Sequence, residues 1–481
     1  MSNLHEEIAN FHQNKLYESE LDSENQELSI IAEDNIYIDS IIDRDKVKND
    51  PVYKNILNKL SNYKLKKHKK GEDAPVNNYE NEILTRKMER MTRIFNKTVA
   101  FTIYFILKTG YLYFPKQYPF NIGDVFFIPK DKLQNLSPSN SRCLINCDNR
   151  LKVLTRFIRD YYLTPIFEHG KVDIEVHRYR KCILKYEVNG KIRYKLCFES
   201  VANIANTIHT TEDKYLLLDL KNAYNNVTFT FLYQILMEYL VITDLKERRN
   251  VADGIIRLLS ELKYYFPRLG KFIKRNKGVP QGCSFSVDMF VLCMDYIIKK
   301  IIESVKKELN LEHNIDYQLI TYVDDILILV KTKKCEQKVN ELINTFEKEF
   351  EKYHFAMNQK KSKKSAGLPN CNLTEVTNQD KYLGLYFEKD VNKYLLIIEN
   401  EIRKRWTHSP IFKDMKSIDQ GLKDSKLSIK QEMSVRGKLQ YRMKPFASSV
   451  EERNKLFHSL GYPNIADKLF TIPEKNDTSF S

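Results

Sequence analysis

The twelve residues LITYVDDILILV, Leu319 to Val330, constrain this chain more than any other stretch. The segment is aliphatic and β-branched apart from two adjacent carboxylates, Asp324 and Asp325. It predicts two β-strands with the acids at the turn between them. Aspartate is ordinary turn chemistry, because it tolerates tight dihedrals and bonds its own backbone. Two like charges set side by side in an apolar hairpin are nevertheless costly unless something offsets them. The pair therefore reads either as a plain turn or as half of a cation site.

A third acid, Asp219, ends the aliphatic strand of YLLLDLKNAYNNV, Tyr215 to Val227. Alone it is equally a turn or helix-cap aspartate. With the hairpin acids it makes a set of hard oxygen ligands, which favours magnesium over zinc. Two such ions are the arrangement used for in-line phosphoryl displacement. Zinc has no other foothold. The eight cysteines are scattered, and Cys143 and Cys147, the nearest pair, lack a companion pair at zinc-site spacing. Reduced structural thiols are expected.

With 481 residues, the chain is long enough for several lobes. Its formal charge of +15 is uneven. Residues 1–50 hold 13 acidic and 4 basic side chains, a net of −9, so the remainder carries +15 − (−9) = +24. A strongly basic body fits a polyanionic partner, and it fits a lysine-rich solvated surface as well. The apolar run from Thr98 to Leu107 is too short to span a bilayer, and the first residues lack the order of a signal peptide. A cytoplasmic location without membrane contact is expected.

The acidic head and the basic KLKKHKK (Lys64 to Lys70), followed by GEDAPVNN, read as an appendage and linker. A helix is expected from Glu82 to about Lys108. A long-tipped hairpin follows, with FFIPK (Phe126 to Lys130) and RCLI (Arg142 to Ile145) as its strands. Next come a helix over Asn149 to Phe167 and a second hairpin over Ile183 to Phe198, turning at Asn189-Gly190. From Thr211 the prediction is the strand KYLLLDL, a helix from Thr228, a loop ending GVPQG, and a helix to Lys307. The acid hairpin, a helix from Glu336 and a mainly helical basic C-terminal region complete the chain.

Asp219, then GVPQGCSFS (Gly278 to Ser286), then YVDD (Tyr322 to Asp325), resembles the palm of a reverse transcriptase. FAMNQKKS (Phe355 to Ser362) is similar to that family's N-x-x-K element, and YLGLYF (Tyr382 to Phe387) to its primer grip. RCLINCDNRLKVLTRFIRDYYLTPIFE (Arg142 to Glu168) looks like the fingers of prokaryotic enzymes of the group II intron and retron kind. The resemblance implies an α+β right-hand polymerase fold with an acidic N-terminal extension. Its parts would be extension and linker over 1–75, fingers over 76–210, palm over 211–390 and helical thumb over 391–481.

Site roles follow from the resemblance. Asp219 and Asp324 match the principal ligands of two Mg2+ ions, Asp325 the supporting one, and Leu220 offers a backbone carbonyl. Tyr224 matches the aromatic that excludes a 2′-hydroxyl, though an aromatic residue also simply fills a core. Pro280, Gln281 and Gly282 match the loop facing the incoming nucleotide, where Gly282 lets backbone approach a ligand. Lys361 matches a lysine near the leaving pyrophosphate. Lys130 and Arg142 match the triphosphate-holding pair, with Lys132 a rival to Lys130. Tyr382, Leu383 and Gly384 match the primer grip.

There are departures: Val287 where the family usually has proline, His354 where it usually has glycine, and the Ile183–Phe198 hairpin where intron-type enzymes carry a glycine-arginine motif. The layout looks most like the standalone "unknown group" enzymes, many of them defence-associated. That likeness implies an RNA template, in some of those enzymes a dedicated noncoding RNA, with dNTPs, a DNA product, in some of them a homo-oligomer, and a role against phage. The rival readings are an RNA-dependent RNA polymerase, a template-independent terminal transferase and a non-catalytic RNA-binding scaffold.

Overall fold

The computed structural model describes residues 44–61, 78–114, 121–129, 137, 141–188, 191–266, 271–368, 371–405, 417–424 and 427–470. The acidic head up to residue 43, the basic linker, the hairpin tip with Lys130 and Lys132, and the Asn189-Gly190 turn lie outside them. Among the described residues no helix is long and apolar enough to cross a membrane.

The strands are β1 (Asn121–Pro129), β2 (Ser141–Cys147), β3 (Ile183–Val188), β4 (Lys191–Leu196), β5 (Lys214–Leu218), β6 (Lys263–Phe266), β7 (Lys271–Lys274), β8 (Tyr317–Tyr322), β9 (Asp325–Val330), β10 (Lys363–Lys364), β11 (Thr374–Glu375), β12 (Lys381–Tyr382) and β13 (Leu385–Tyr386). The helices used below are α1 (Asn78–Thr109), α2 (Asn149–Ile158), α3 (Phe198–Thr210), α4 (Phe229–Tyr239), α5 (Leu245–Glu261), α6 (Ser286–Leu309), α7 (Val339–Lys352), α8 (Val391–Arg405) and α9 (Ile429–Arg442). Helices and largely antiparallel sheets make this an α+β chain, as expected.

The chain divides into two compact units. The first, Met1–Asp173, Lys221–Lys300 and Glu349–Ala356, holds a four-stranded sheet in the order β2-β1-β6-β7. Strands β1 and β2 form the expected hairpin, in register from Gly123↔Cys147 to Pro129↔Ser141. The expected helix over Asn149 to Phe167 is present. Asp148 caps it by accepting from Arg150 N at 2.8 Å, and a π-helical turn at Arg159–Leu163 interrupts it before Thr164–Glu168. The expected loop before GVPQG proves richer. It contains α5, whose Val251, Ile255, Leu258 and Leu259 are buried at helical spacing, and the β6–β7 hairpin. The first half of α6 is buried on all sides. Its Asp295 is kept satisfied by Tyr239 Oη (2.6 Å), Lys299 Nζ (2.6 Å) and Asp173 N–H (3.1 Å).

The second unit, Ile174–Leu220, Ile301–Lys348 and Met357–Ser481, is built on a five-stranded sheet in the order β11-β10-β5-β9-β8. Strand β9 is paired on both sides, between β5 and the edge strand β8, and Ile326 to Val330 are all buried. This explains why ILILV does not alternate with polar residues. Helix α3 covers one face of the sheet through Val201, Ile204, Ala205 and Ile208. Around α8 and α9 a separate helical cluster forms, with Tyr394, Ile398, Val435, Leu439 and Phe457 buried.

Candidate active site

Strands β8 and β9 pair as far as Tyr322↔Asp325, so Val323 and Asp324 alone form the turn. The structure thus refines the expectation: Asp324 sits at the tip and Asp325 opens β9. Val323 has φ +61°, while Asp324 is not in the left-handed region. That is the type II′ pattern, whose first central position favours glycine. A β-branched residue there is a genuine outlier and carries about 1–3 kcal/mol of strain. The ladder on both sides holds it in place.

Strand β5 pairs with β9 up to Leu218↔Ile326. Continued by one residue, that register sets Asp219 beside Asp325, so backbone alone brings the three acids to one end of one sheet. Beneath them Leu216, Leu218, Ile326 and Leu327 are buried and fix the mount. The edge at β8 is held as well. Thr321 exchanges hydrogen bonds with Val176 and Arg178, and its Oγ1 lies 2.8 Å from His177 Nδ1. Tyr179 meets the Tyr322 ring edge-on at 5.8 Å. Burial pushes the Tyr322 phenol well above its ordinary range, so it stays protonated.

Asp219 is gripped by the N-x-x-K turn. Its carbonyl accepts from Asn358 N at 2.7 Å, its amide donates to Ser362 Oγ at 3.1 Å, and its Oδ2 accepts from Asn358 Nδ2 at 2.9 Å. Lys361 Nζ stands 4.0 Å from the same oxygen on a side chain that is 61% exposed. Leu220 bridges Met357, and the two ladder bonds flanking it do not use its carbonyl. Among the described residues no three His, Cys, Asp or Glu side chains lie close enough together to hold a metal ion. The acids share a sheet end, but the Asp219 carboxylate turns to Asn358 and Lys361. Three like charges would otherwise repel, and a lysine ammonium offsets one of them. The donors are all hard oxygens, which suits magnesium. Asn358 and Ser362 were not singled out as site residues from sequence, although FAMNQKKS was the available signal.

The nucleotide-facing candidates belong to the other unit. Tyr224 stacks on Phe290 with centroids 4.6 Å apart and planes 14° apart, and its carbonyl accepts from Val279 N at 2.8 Å. Gly278 (φ +90°) donates to Val227 O at 2.7 Å. Ser286 Oγ closes the loop on Pro280 O at 2.6 Å. Pro280 is buried, Gln281 partly so and Gly282 exposed. Gly282 has φ +122°, and a Cβ there would lie 2.8 Å from the Ile145 carbonyl oxygen. Backbone meets backbone at that point, so only glycine fits. Arg142 is on β2, opposite Ile128 of β1.

In the acid-bearing unit, β12 and β13 pair at Tyr382↔Leu385, leaving Leu383 (φ +47°) and Gly384 (φ +90°) as a two-residue turn of type I′. Tyr441 Oη of α9 donates to the Leu383 carbonyl. Behind the turn, Glu401 of α8 accepts from Arg442 in a two-pronged pair (2.5 and 2.8 Å), from Tyr386 Oη (2.6 Å) and from Lys381 Nζ (2.8 Å). Burial alone would raise the Glu401 pKa, but the hydrogen bonds from Arg442, Lys381 and Tyr386 outweigh it and hold the carboxyl well below its usual range. Nothing local in the sequence announces this hub, since its members come from separate elements.

The sequence matches the reverse transcriptase (RNA-dependent DNA polymerase) family over residues 128–387, more than half of the chain. No curated protein matches it. Among solved structures, telomerase from Candida albicans with a TWJ fragment of telomeric RNA aligns over 73% of this chain and 59% of its own, at 12% identity and a TM-score of 0.34. Apo telomerase from Candida tropicalis aligns over 96% of this chain and 90% of its own, at 13% identity and 0.37. A form of it truncated from the C-terminal domain aligns over 61% and 58%, at 16% and 0.35. The chain thus spans well under two thirds of the first of these telomerases.

Proposed function

The chain belongs to the reverse transcriptase family, and we propose that it copies an RNA template into DNA by two-metal nucleotidyl transfer. The observation that carries this reading is the placement of Asp219, Asp324 and Asp325 at one end of one rigid sheet. Asp219 and Asp324, supported by Asp325 and the Leu220 carbonyl, would hold two Mg2+ ions. Such ions lower the pKa of an attacking hydroxyl and neutralise charge on a triphosphate. The chain's own groups do the rest. Asn358 and Ser362 orient Asp219. Lys361, exposed and 4.0 Å from the Asp219 carboxylate, would turn to the departing pyrophosphate and supply it with charge or a proton. Lys130 and Arg142 hold the triphosphate, Pro280 to Gly282 face the incoming nucleotide, and Tyr382 to Gly384 support the primer.

Tyr224 is the sugar gate in this reading. Its ring stacks on the buried Phe290, which leaves it little room on that side to yield to an added hydroxyl. Primer extension on an RNA template tests the whole. The expected result is DNA synthesis with dNTPs, lost in Asp324→Ala combined with Asp325→Ala. A preference for rNTPs would sink the reading in favour of an RNA polymerase, and activity without template would favour a terminal transferase. Cellular function unchanged in the double variant would favour a scaffold.

The finer reading is a bacterial antiphage role in the cytoplasm with a dedicated noncoding RNA as template or scaffold, in an oligomeric assembly. Its support is the resemblance of the layout to standalone defence-associated enzymes, together with the acidic head of net charge −9 on a basic body. Sequencing the RNA and DNA that copurify with the protein tests it. One recurrent noncoding RNA is the expected finding, and random cellular RNA would overturn it.

A further inference from the structure

The β3–β4 ribbon of the acid-bearing unit plays no part in the chemistry above. Its two strands pair with each other and form a sheet of their own. A lone two-stranded hairpin is marginal in water, and apolar side chains left on it make it more so. Yet Leu184 is 50% exposed and Tyr186 41%, and Phe198, just beyond β4, is 66% exposed. Residues spaced by two share a strand face, so Leu184 and Tyr186 lie on the same one.

The register sets Lys195, Arg193 and Lys191 directly across from Leu184, Tyr186 and Val188. All six positions therefore belong to one face of the ribbon. One strand offers an apolar and aromatic row, and the other a cationic position at every second residue, about 7 Å apart. Glu187 belongs to the other face, paired with Ile192. Over residues 175–197 the sequence carries seven basic and two acidic side chains, a net of +5. A protein partner would be expected to bring acidic groups to such a face, but nothing in that requirement explains the regular repeat. A nucleic-acid strand explains both rows, since each nucleotide carries one phosphate and one stackable base. An A-form duplex hides its bases in a deep groove, so a strand with unstacked bases is the better fit.

We propose that this face of the β3–β4 ribbon is a docking surface for single-stranded RNA. Tyr186 and Leu184 take the bases, and the Lys191, Arg193 and Lys195 positions take the phosphates. The choice of RNA over DNA rests on the RNA-copying reading above. The surface itself rests on the ribbon.

The test uses the full chain without nucleotides and a fluorescent oligo(U) 20-mer, with binding followed by anisotropy over a salt series. Tyr186→Ser is expected to weaken binding about 10-fold. Lys191→Gln, Arg193→Gln and Lys195→Gln together are expected to lower the slope of log K against log salt by about 2, at about 0.7 per phosphate lost. Extension of a saturating, pre-annealed primer–template is expected to stay unchanged in both variants. Unaltered affinity and slope would overturn the proposal. So would a shift in sedimentation with RNA binding intact, which would mark a protein interface, and tighter wild-type binding of oligo(dT) than of oligo(U) would overturn the choice of RNA. If the wild type binds oligo(U) through the ribbon but extends no primer, the ribbon proposal stands and the polymerase reading falls.

Discussion

Two bends serve the proposed chemistry, one in each unit, and they solve the same backbone problem in opposite ways. The Gly278–Ser286 loop of the first unit needs positive φ at Gly278 and Gly282, and supplies glycine at both. The turn carrying Asp324 needs positive φ at Val323, and supplies a β-branched residue. The neighbours explain the difference. At Gly282 a Cβ would meet the Ile145 carbonyl, which is backbone and cannot give way. At Val323 the strain is internal to the residue, and the β8–β9 ladder that closes on it absorbs the cost. Glycine is demanded where another chain segment crowds the backbone, and is dispensable where only the torsion is unusual.

The sharpest separation between the two bends should come from Asp324→Ala and Gly282→Ala. Asp324→Ala removes the proposed ligand at the tip of an intact ladder. Nucleotide addition should fall about 10³-fold or more, while the melting temperature barely moves. Gly282→Ala should act through the fold, costing about 2–4 kcal/mol in denaturant unfolding as backbone shifts at Ile145. A Gly282→Ala protein of unchanged stability would remove the crowding from the comparison. An Asp324→Ala protein that still polymerises would remove the chemistry.

A third bend, Leu383-Gly384, is held by side chains instead. Tyr441 bonds the Leu383 carbonyl, and Glu401 ties Arg442, Tyr386 and Lys381 behind it. Glu401→Gln should cost about 2–3 kcal/mol at neutral pH, because the largely buried Arg442 loses its countercharge. The sign with pH is fixed by the lowered pKa of Glu401. Its stabilisation is complete above the ordinary glutamate range, near 4.3, and drains as pH falls below it. The gap in stability between wild type and variant should therefore shrink from pH 7 to pH 3. A gap that widened on acidification would assign the hub no role.

These three bends also show what the sequence could carry. The acids were legible because the aliphatic runs around Asp219 and Asp324 leave them no other place than a strand end and a turn. The β1–β2 hairpin and α1 were legible from periodicity. Helix α5 and the β6–β7 hairpin lie where the sequence reading expects a loop, although Asp244 before Glu247 is a capping signal and KYYF a strand signal. The Glu401 hub had no signal at all. Lys381, Tyr386, Glu401 and Arg442 are brought together by the packing of a hairpin on two helices, and no local pattern encodes that.

The smallest expected effect is the most informative about the Val323-Asp324 turn. Val323→Gly should relieve about 1–3 kcal/mol of torsional strain and lose about 1 kcal/mol to the greater freedom of the unfolded chain. Stability should therefore hold or rise slightly, the reverse of Gly282→Ala. Activity should not follow it. Valine locks the peptide that aims Asp324, and a looser turn spreads that carboxylate over more positions, so kcat should fall about 10-fold with KM for dNTP little changed. If Val323→Gly were less stable than wild type, the strain assigned to φ +61° would be absent. If it were as active, the rigidity of the turn would have no part in placing the acid.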